Sequence, residues 1–152
     1  MLAMQLRRAV AADARLVREL VRAAYAKWVP LIGREPRPMG ANYDDAIAHH
    51  VIDLCEVGAQ VVALIELVPE PACLLVENIA VLPQQQGQGI GDALLEHAEE
   101  VARSLQLPAL WLYTNAAFAS NIAFYARRGF AEVRREPLAA GGELVHMERE
   151  LR

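Results

Sequence analysis

The chain has 152 residues, 55% hydrophobic and 22% charged, with 15 lysines and arginines against 19 aspartates and glutamates for a net charge of −4. Such a length fits one domain, residues 1–152, and buries about two thirds of its unfolded surface without disulfide staples. The composition excludes a disordered chain, the acidic balance argues against a nucleic-acid surface, and no apolar run reaches the roughly 18 residues that cross a bilayer. Cys55 and Cys73 stand alone, outside any CxxC or metal-ligand spacing, and read as buried thiols of a reducing cytoplasm. The start, Met1 to Arg8, carries its charges after its apolar residues, the reverse of a secretion signal.

In chain order, Gln5 to Arg8 reads as a short strand and Asp13 as the N-cap of a helix. Val17, Leu20, Val21, Ala24, Tyr25 and Trp28 form that helix's apolar face, which stops at Pro30. Residues 29–43, with three prolines and two glycines, read as a loop too long to be a plain connection. Asp44 to His50 is a second short helix. Val51 to Glu56 and Gln60 to Val68 are strands turning at Gly58, and Leu74 to Leu82 is a third. After a Gln/Gly loop, Ile90, Ala93, Leu94, Ala98, Val101, Ala102 and Leu105 mark a long helix. Leu110 to Thr114 is a strand apolar enough to be buried on both faces. Ser120 to Arg128 is a helix closed by Gly129, and Ala131 to Pro137 and Glu143 to Leu151 are strands around Gly141-Gly142. The class is α/β: one mixed sheet of about six to seven strands with about four helices.

The sharpest chemical signal lies between strand and helix, in Val81-Leu82-Pro83-Gln84-Gln85-Gln86-Gly87-Gln88-Gly89-Ile90-Gly91. Glycines there let backbone N–H groups approach an anion, and the helix N-terminus adds partial positive charge, so the implied ligand is a phosphate or pyrophosphate. A dinucleotide fingerprint GxGxxG fails, because its third glycine would fall on Asp92 or Leu94; a P-loop fails for want of Gly-Lys-Ser/Thr. What remains is Gln-x-x-Gly-x-Gly at Gln86, Gly89 and Gly91.

With that loop, the chain resembles the GCN5-related N-acetyltransferase (GNAT) superfamily over nearly its whole length. Leu6 to Ala9 with the Asp13 helix resemble the family's opening, and Val76 to Gly91 its acyl-CoA strand and loop. Ser120-Asn121-Ile122-Ala123-Phe124-Tyr125-Ala126-Arg127-Arg128-Gly129-Phe130 resembles its last helix. Gln86 is a departure, since the family more often has Arg there. The resemblance implies acetyl-CoA as co-substrate, its pyrophosphate on the amides of Gln86, Gly87, Gly89, Ile90 and Gly91. It places the pantetheine arm along Ile79, Ala80 and Val81, with a strand bulge at Asn78 to Ala80 aiming an N–H at the thioester oxygen. Asn121 would hold the arm. Tyr125, one turn on and on the same helix face, would protonate the leaving thiolate. An unperturbed tyrosine, with a pKa of about 10, is protonated at neutral pH and permits this.

The base is Glu77, with Glu66 or a water chain as alternatives; relatives with an acid on the fifth strand have their match here at Tyr113. His49-His50 cannot easily share a metal, since neighbouring residues point to different sides, and no metal is expected. Residues 29–43 are implied to wall the acceptor pocket. There Arg34 and Arg37 could clamp a carboxylate or phosphate, while Trp28, Met39 and Tyr43 supply apolar walls. The reading is an acetyl-CoA-dependent N-acetyltransferase of a primary amine, acting by direct attack in a ternary complex, cytoplasmic, without nucleic-acid or membrane partners, and with a tendency to pair as a homodimer. The alternative is a non-catalytic acyl-CoA-binding sensor or scaffold, or, less in keeping with the failed fingerprints, another nucleotide-binding protein.

Overall fold

The computed structural model describes residues 3–152, so Met1 and Leu2 of the apolar start lie outside the described residues. Seven strands form one sheet: β1 (Met4–Arg8), β2 (Val51–Val57), β3 (Gln60–Pro69), β4 (Leu74–Val81), β5 (Ala109–Asn115), β6 (Ala131–Pro137) and β7 (Glu143–Glu150), in the order β1-β2-β3-β4-β5-β7-β6. Every neighbouring pair is antiparallel except β4 and β5. Four helices exceed one turn: α1 (Ala14–Tyr25), α3 (Tyr43–His49), α4 (Ile90–Ser104) and α5 (Ala119–Arg127); α2 (Val29–Ile32) is a single turn.

The apolar run of β3 is buried on both faces, and its alternation feeds two cores. Leu64 meets Val17, Leu20, Val21 and Ala24 of α1 together with Ile52, Leu54 and Ala80. Ala63, Ile65 and Leu67 meet Leu94, Leu95, Ala98 and Ala102 of α4, with Ile122, Phe124 and Tyr125 of α5 packed against the same cluster. Each face therefore carries helices, and β4 runs through the middle of both layers.

Three local expectations are corrected. Asp13 stands at the N-cap position of α1, but its carboxylate bonds no N–H of that helix; Asp13 also ends a 3-10 turn (Ala11–Asp13), and the carboxylate accepts from Val10 N–H at 2.8 Å and pairs with Arg7 at 2.9 Å. Residues 29–43 are not a plain loop. Pro30 falls in the first turn of α2, where a missing N–H costs nothing, and Gly33 closes that turn in the left-handed region at φ +73°. A 3-10 turn, Arg37–Gly40, follows. Of the two thiols, Cys55 is buried, whereas Cys73, in the turn between β3 and β4, is only half-buried.

Candidate active site

The parallel ladder between β4 and β5 is short, running from Leu74–Leu110 to Val76–Leu112. Past it the strands separate, because a bulge bends β4: Glu66 pairs with Asn78 and Leu67 with Val76, leaving Glu77 as the extra residue. The bulge thus falls one residue before the expected Asn78 to Ala80. The first residues beyond the ladder, Glu77 and Tyr113, are joined across the gap by Tyr113 Oη donating to Glu77 Oε1 at 2.5 Å. One residue along, Asn78 is buried and locked: Tyr25 Oη donates to its Oδ1 at 2.7 Å, and its Nδ2 donates to Tyr43 Oη at 3.3 Å.

On one side of this split lies a cavity of about 530 Å³, lined by Ile79, Val81, Gln86, Gly87, Gly89, Ile90 and Gly91 from the strand and loop and by Asn121, Phe124 and Tyr125 from α5. Gly87 and Gly89 sit at φ +79° and +83°, a conformation that turns the backbone toward the space in front of α4 and that side-chain-bearing residues rarely adopt. Gly91 is crowded for a different reason: a Cβ there would stand 2.9 Å from Cζ of Phe124, and that ring would have to move to admit it. Lys27, Arg127 and Arg128 also face the cavity. Asp92, whose charge would oppose an anion, is paired with Arg128, and that guanidinium holds its carboxyl below the usual aspartate range. Gln86 folds back, its Nε2 donating to Val81 O at 3.0 Å while its Oε1 accepts from Lys27 Nζ at 2.9 Å. A pyrophosphate fits this concave arrangement of glycine backbone, helix N-terminus and cations.

On the other side lies a cavity of about 320 Å³, lined by Glu77, Tyr113, Asn115 and Phe118 from the split and by Arg34, Glu35 and Arg37 from the segment after α1. Tyr25, Ile79, Asn121 and Tyr125 line both cavities, so the two meet along one wall. Tyr125 is wedged between Phe124 and Phe130, with ring centroids 5.4 and 5.8 Å away, and burial pushes its hydroxyl up to about 12. Its place on the helix is fixed from below: Phe130 N–H bonds Tyr125 O at 3.1 Å and Gly129 N–H bonds Ala126 O at 3.2 Å, a double clasp that Gly129 allows at φ +90°.

Of the expected site residues, Tyr125 and Glu77 therefore lie at the junction and in the smaller cavity, and all but one of the expected cofactor contacts face the larger. Ala80 does not; strand alternation turns its side chain into the α1 core. The expected acceptor wall needs more correction. Trp28 lines the glycine-loop cavity instead, stacked on Phe118 at 4.2 Å. Met39 and Tyr43 are buried and line neither cavity: Tyr43 Oη donates to Pro38 O at 2.6 Å, and Met39 O accepts from Arg22 at 3.0 Å. Arg34 does line the smaller cavity, but its guanidinium donates to Ala140 O at 3.2 Å and Gly141 O at 2.9 Å. Glu66 faces His50, with Nδ1 and Oε2 2.6 Å apart, away from both cavities; burial raises its pKa and the histidine opposes that. His49 sits instead against Asp45.

Sequence reasoning missed Lys27, Arg127 and Arg128 around the glycine loop, and the Tyr25–Asn78–Tyr43 network. Cations at helix ends look the same whether they answer the helix dipole or a ligand, so no local signal separates them. From sequence, Tyr113 stands only where relatives carry an acid; its bond to Glu77 depends on how far the strands part.

Comparison with known proteins identifies the family and the fold. Residues 15–130 match the acetyltransferase (GNAT) family, and the chain belongs to it. Over 70 residues it is 41% identical to the ribosomal protein bS18-alanine N-acetyltransferase of Escherichia coli, covering 46% of each chain. The chain spans about half the length of the curated relatives it matches. A GNAT-family protein of known structure from Desulfovibrio desulfuricans superposes with a TM-score of 0.79 at 22% identity, over 97% of this chain and 99% of that one. The PaiA N-acetyltransferase of Thermoplasma acidophilum, solved with coenzyme A, gives 0.80 at 15% identity over 98% of this chain and 99% of its own. At these identities the two structures establish the fold. No helix among the described residues is long and apolar enough to cross a membrane.

Proposed function

We propose that residues 1–152 form an acetyl-CoA-dependent N-acetyltransferase domain that acetylates a primary amine by direct attack in a ternary complex. The observation that carries this is the shared wall: Tyr125 and Asn121 line the glycine-loop cavity and the Glu77 cavity at once. One substrate can enter from each side and meet at the tyrosine. The glycine loop takes the diphosphate, Asn121 holds the pantetheine arm, and Ile79 to Val81 offer it a strand edge that β5 has left free.

The amine nitrogen attacks the thioester carbonyl carbon, the carbon–sulfur bond breaks, and the sulfur leaves as thiolate. Glu77, alone or through a water, takes the proton lost by the nitrogen, and Tyr125 gives its hydroxyl proton to the sulfur. Burial that keeps Tyr125 protonated also raises the proton affinity of a thiolate formed beside it, so the transfer is between two groups shifted in the same direction. The loss of the bulge from the expected stretch leaves its N–H beside Glu77 and Asn78, still at the mouth of the split, as the donor to the thioester oxygen.

The test is thiol release from acetyl-CoA against amino acids, polyamines, aminoglycosides and short peptides, with product masses. A product carrying one added acetyl on nitrogen is expected. Tight acetyl-CoA binding with no turnover on any amine would overturn the enzymatic reading in favour of a binding module.

A further inference from the structure

Four charged side chains line the smaller cavity: Arg34, Glu35, Arg37 and Glu77. Three have their charge answered. Glu35 is held by Arg22 at 2.5 Å, Arg34 donates to the carbonyls of Ala140 and Gly141, and Glu77 accepts from Tyr113. Among the described residues, Arg37 has neither an ion pair within 4 Å nor a side-chain hydrogen bond, although its field reaches the Glu136 carboxylate of β6.

Its backbone, by contrast, is firmly placed. Arg37 opens the 3-10 turn Arg37–Gly40, which is anchored by Met39 N–H on Pro36 O at 3.0 Å, by Tyr43 on Pro38 O and by Arg22 on Met39 O. The side chain of Met39 is buried beneath the turn. Here the two residues expected to touch substrate act as the turn's foundation. A guanidinium on a fixed stem, exposed to the cavity and unpaired, is arranged to accept an anion as two parallel hydrogen bonds. Its field is felt at the Tyr113 hydroxyl, which bonds Glu77, so the cation and the carboxylate act on the same space.

Resting on the acetyltransferase reading of this cavity, we infer that Arg37 selects the acceptor: a primary amine that also carries a carboxylate, held with its nitrogen toward Glu77 and Tyr125 and its carboxylate on the Arg37 guanidinium. A polyamine would bring a second ammonium to Arg37 and is disfavoured. The carboxylate has two sources, the main-chain carboxylate of a free amino acid or an acidic side chain next to the amino terminus of a peptide.

The experiment compares kcat/KM within matched pairs: an amino acid against its amide, and a dipeptide amide with glutamate in second position against the same dipeptide with glutamine. The expected result is a preference of about tenfold or more for the carboxylate in one pair, which identifies the source. In Arg37→Met the preference falls to within about twofold, and Arg37→Lys restores part of it. Equal rates within both pairs, or a preference that survives in Arg37→Met, overturn the inference. Should no amine be acetylated, the transferase reading fails separately, and calorimetry with the N-acetylated carboxylate compounds in the presence of CoA decides about Arg37. Binding that weakens about tenfold in Arg37→Met upholds the anion site; no binding, or equal binding, removes it.

Discussion

The two cavities that meet at Tyr125 are built from different materials. The floor of the glycine-loop cavity is backbone, made by positive-φ Gly87 and Gly89, the start of α4 and a free edge of β4, with side chains of α5 and the segment after α1 around it. The Glu77 cavity is side chains brought from the segment after α1, from both parted strands, from α5 and from the turn before β7. A site made of backbone depends on where the chain can go and is indifferent to most side chains. One made of side chains can change its preference by a single substitution without disturbing the fold. The first suits a co-substrate that never varies, the second an acceptor that does.

The largest effect should come from the backbone cavity. Gly89→Asp puts a side chain where φ is +83° and a negative charge at the N-terminus of α4. A unit charge about 4 Å from a phosphate oxygen costs about 4 kcal/mol at a surface-like dielectric, roughly a thousandfold in affinity. Calorimetry with CoA should show at least that loss while the circular dichroism of the folded protein is retained. Undiminished binding would mean that the loop does not hold the diphosphate, and the contrast between the cavities would fall with it.

At the shared wall, Tyr125→Phe keeps the ring between Phe124 and Phe130 and removes only the hydroxyl. A general acid contributes about a hundredfold or more, so kcat should fall by that much with the KM for acetyl-CoA changed by less than about threefold. The pH dependence follows from the same residue. Burial raises its pKa, so the protonated acid persists to higher pH than in a solvated tyrosine. The alkaline side of the kcat profile should therefore stay level up to about pH 10. A decline centred near pH 8 that disappears in Tyr125→Phe would contradict this assignment.

That difference in material also explains what could be read from the chain. The glycine loop, the Asn121–Tyr125 spacing and the succession of strands and helices along the chain were legible because each is local: a left-handed glycine, a one-turn helical spacing or an apolar periodicity declares itself within a few residues. Residues 29–43 were not. Trp28, Met39, Tyr43 and Arg34 have the composition of a binding wall, but composition does not say which way a side chain turns. Met39 and Tyr43 support a turn, Trp28 stacks on Phe118, far along the chain, and Arg34 ties its segment to the β6–β7 turn. Arg34 and Arg37 both line the cavity, but among the described residues Arg37 keeps a guanidinium without a hydrogen bond or ion pair, and a sequence cannot distinguish it in this from its neighbour three residues earlier. The bulge was misplaced for a related reason, since its position depends on how β3 and β4 pair rather than on β4 alone.

The smallest effect tests whether Tyr113 has taken part of the work of a missing acid. Tyr113→Phe keeps the ring beside His146, 5.7 Å between centroids, and deletes the hydroxyl that bonds Glu77 across the split. A hydrogen bond to a partly exposed carboxylate contributes about 1 kcal/mol, so kcat/KM for the amine should fall about fivefold. The KM for acetyl-CoA should not move, because Tyr113 lines only the smaller cavity. If both substrates are affected equally, Tyr113 spaces the strands instead, and the two cavities are one mechanical unit. If neither is affected, the carboxylate holds its position without help from β5, and the bulge in β4 alone aims Glu77 at the acceptor.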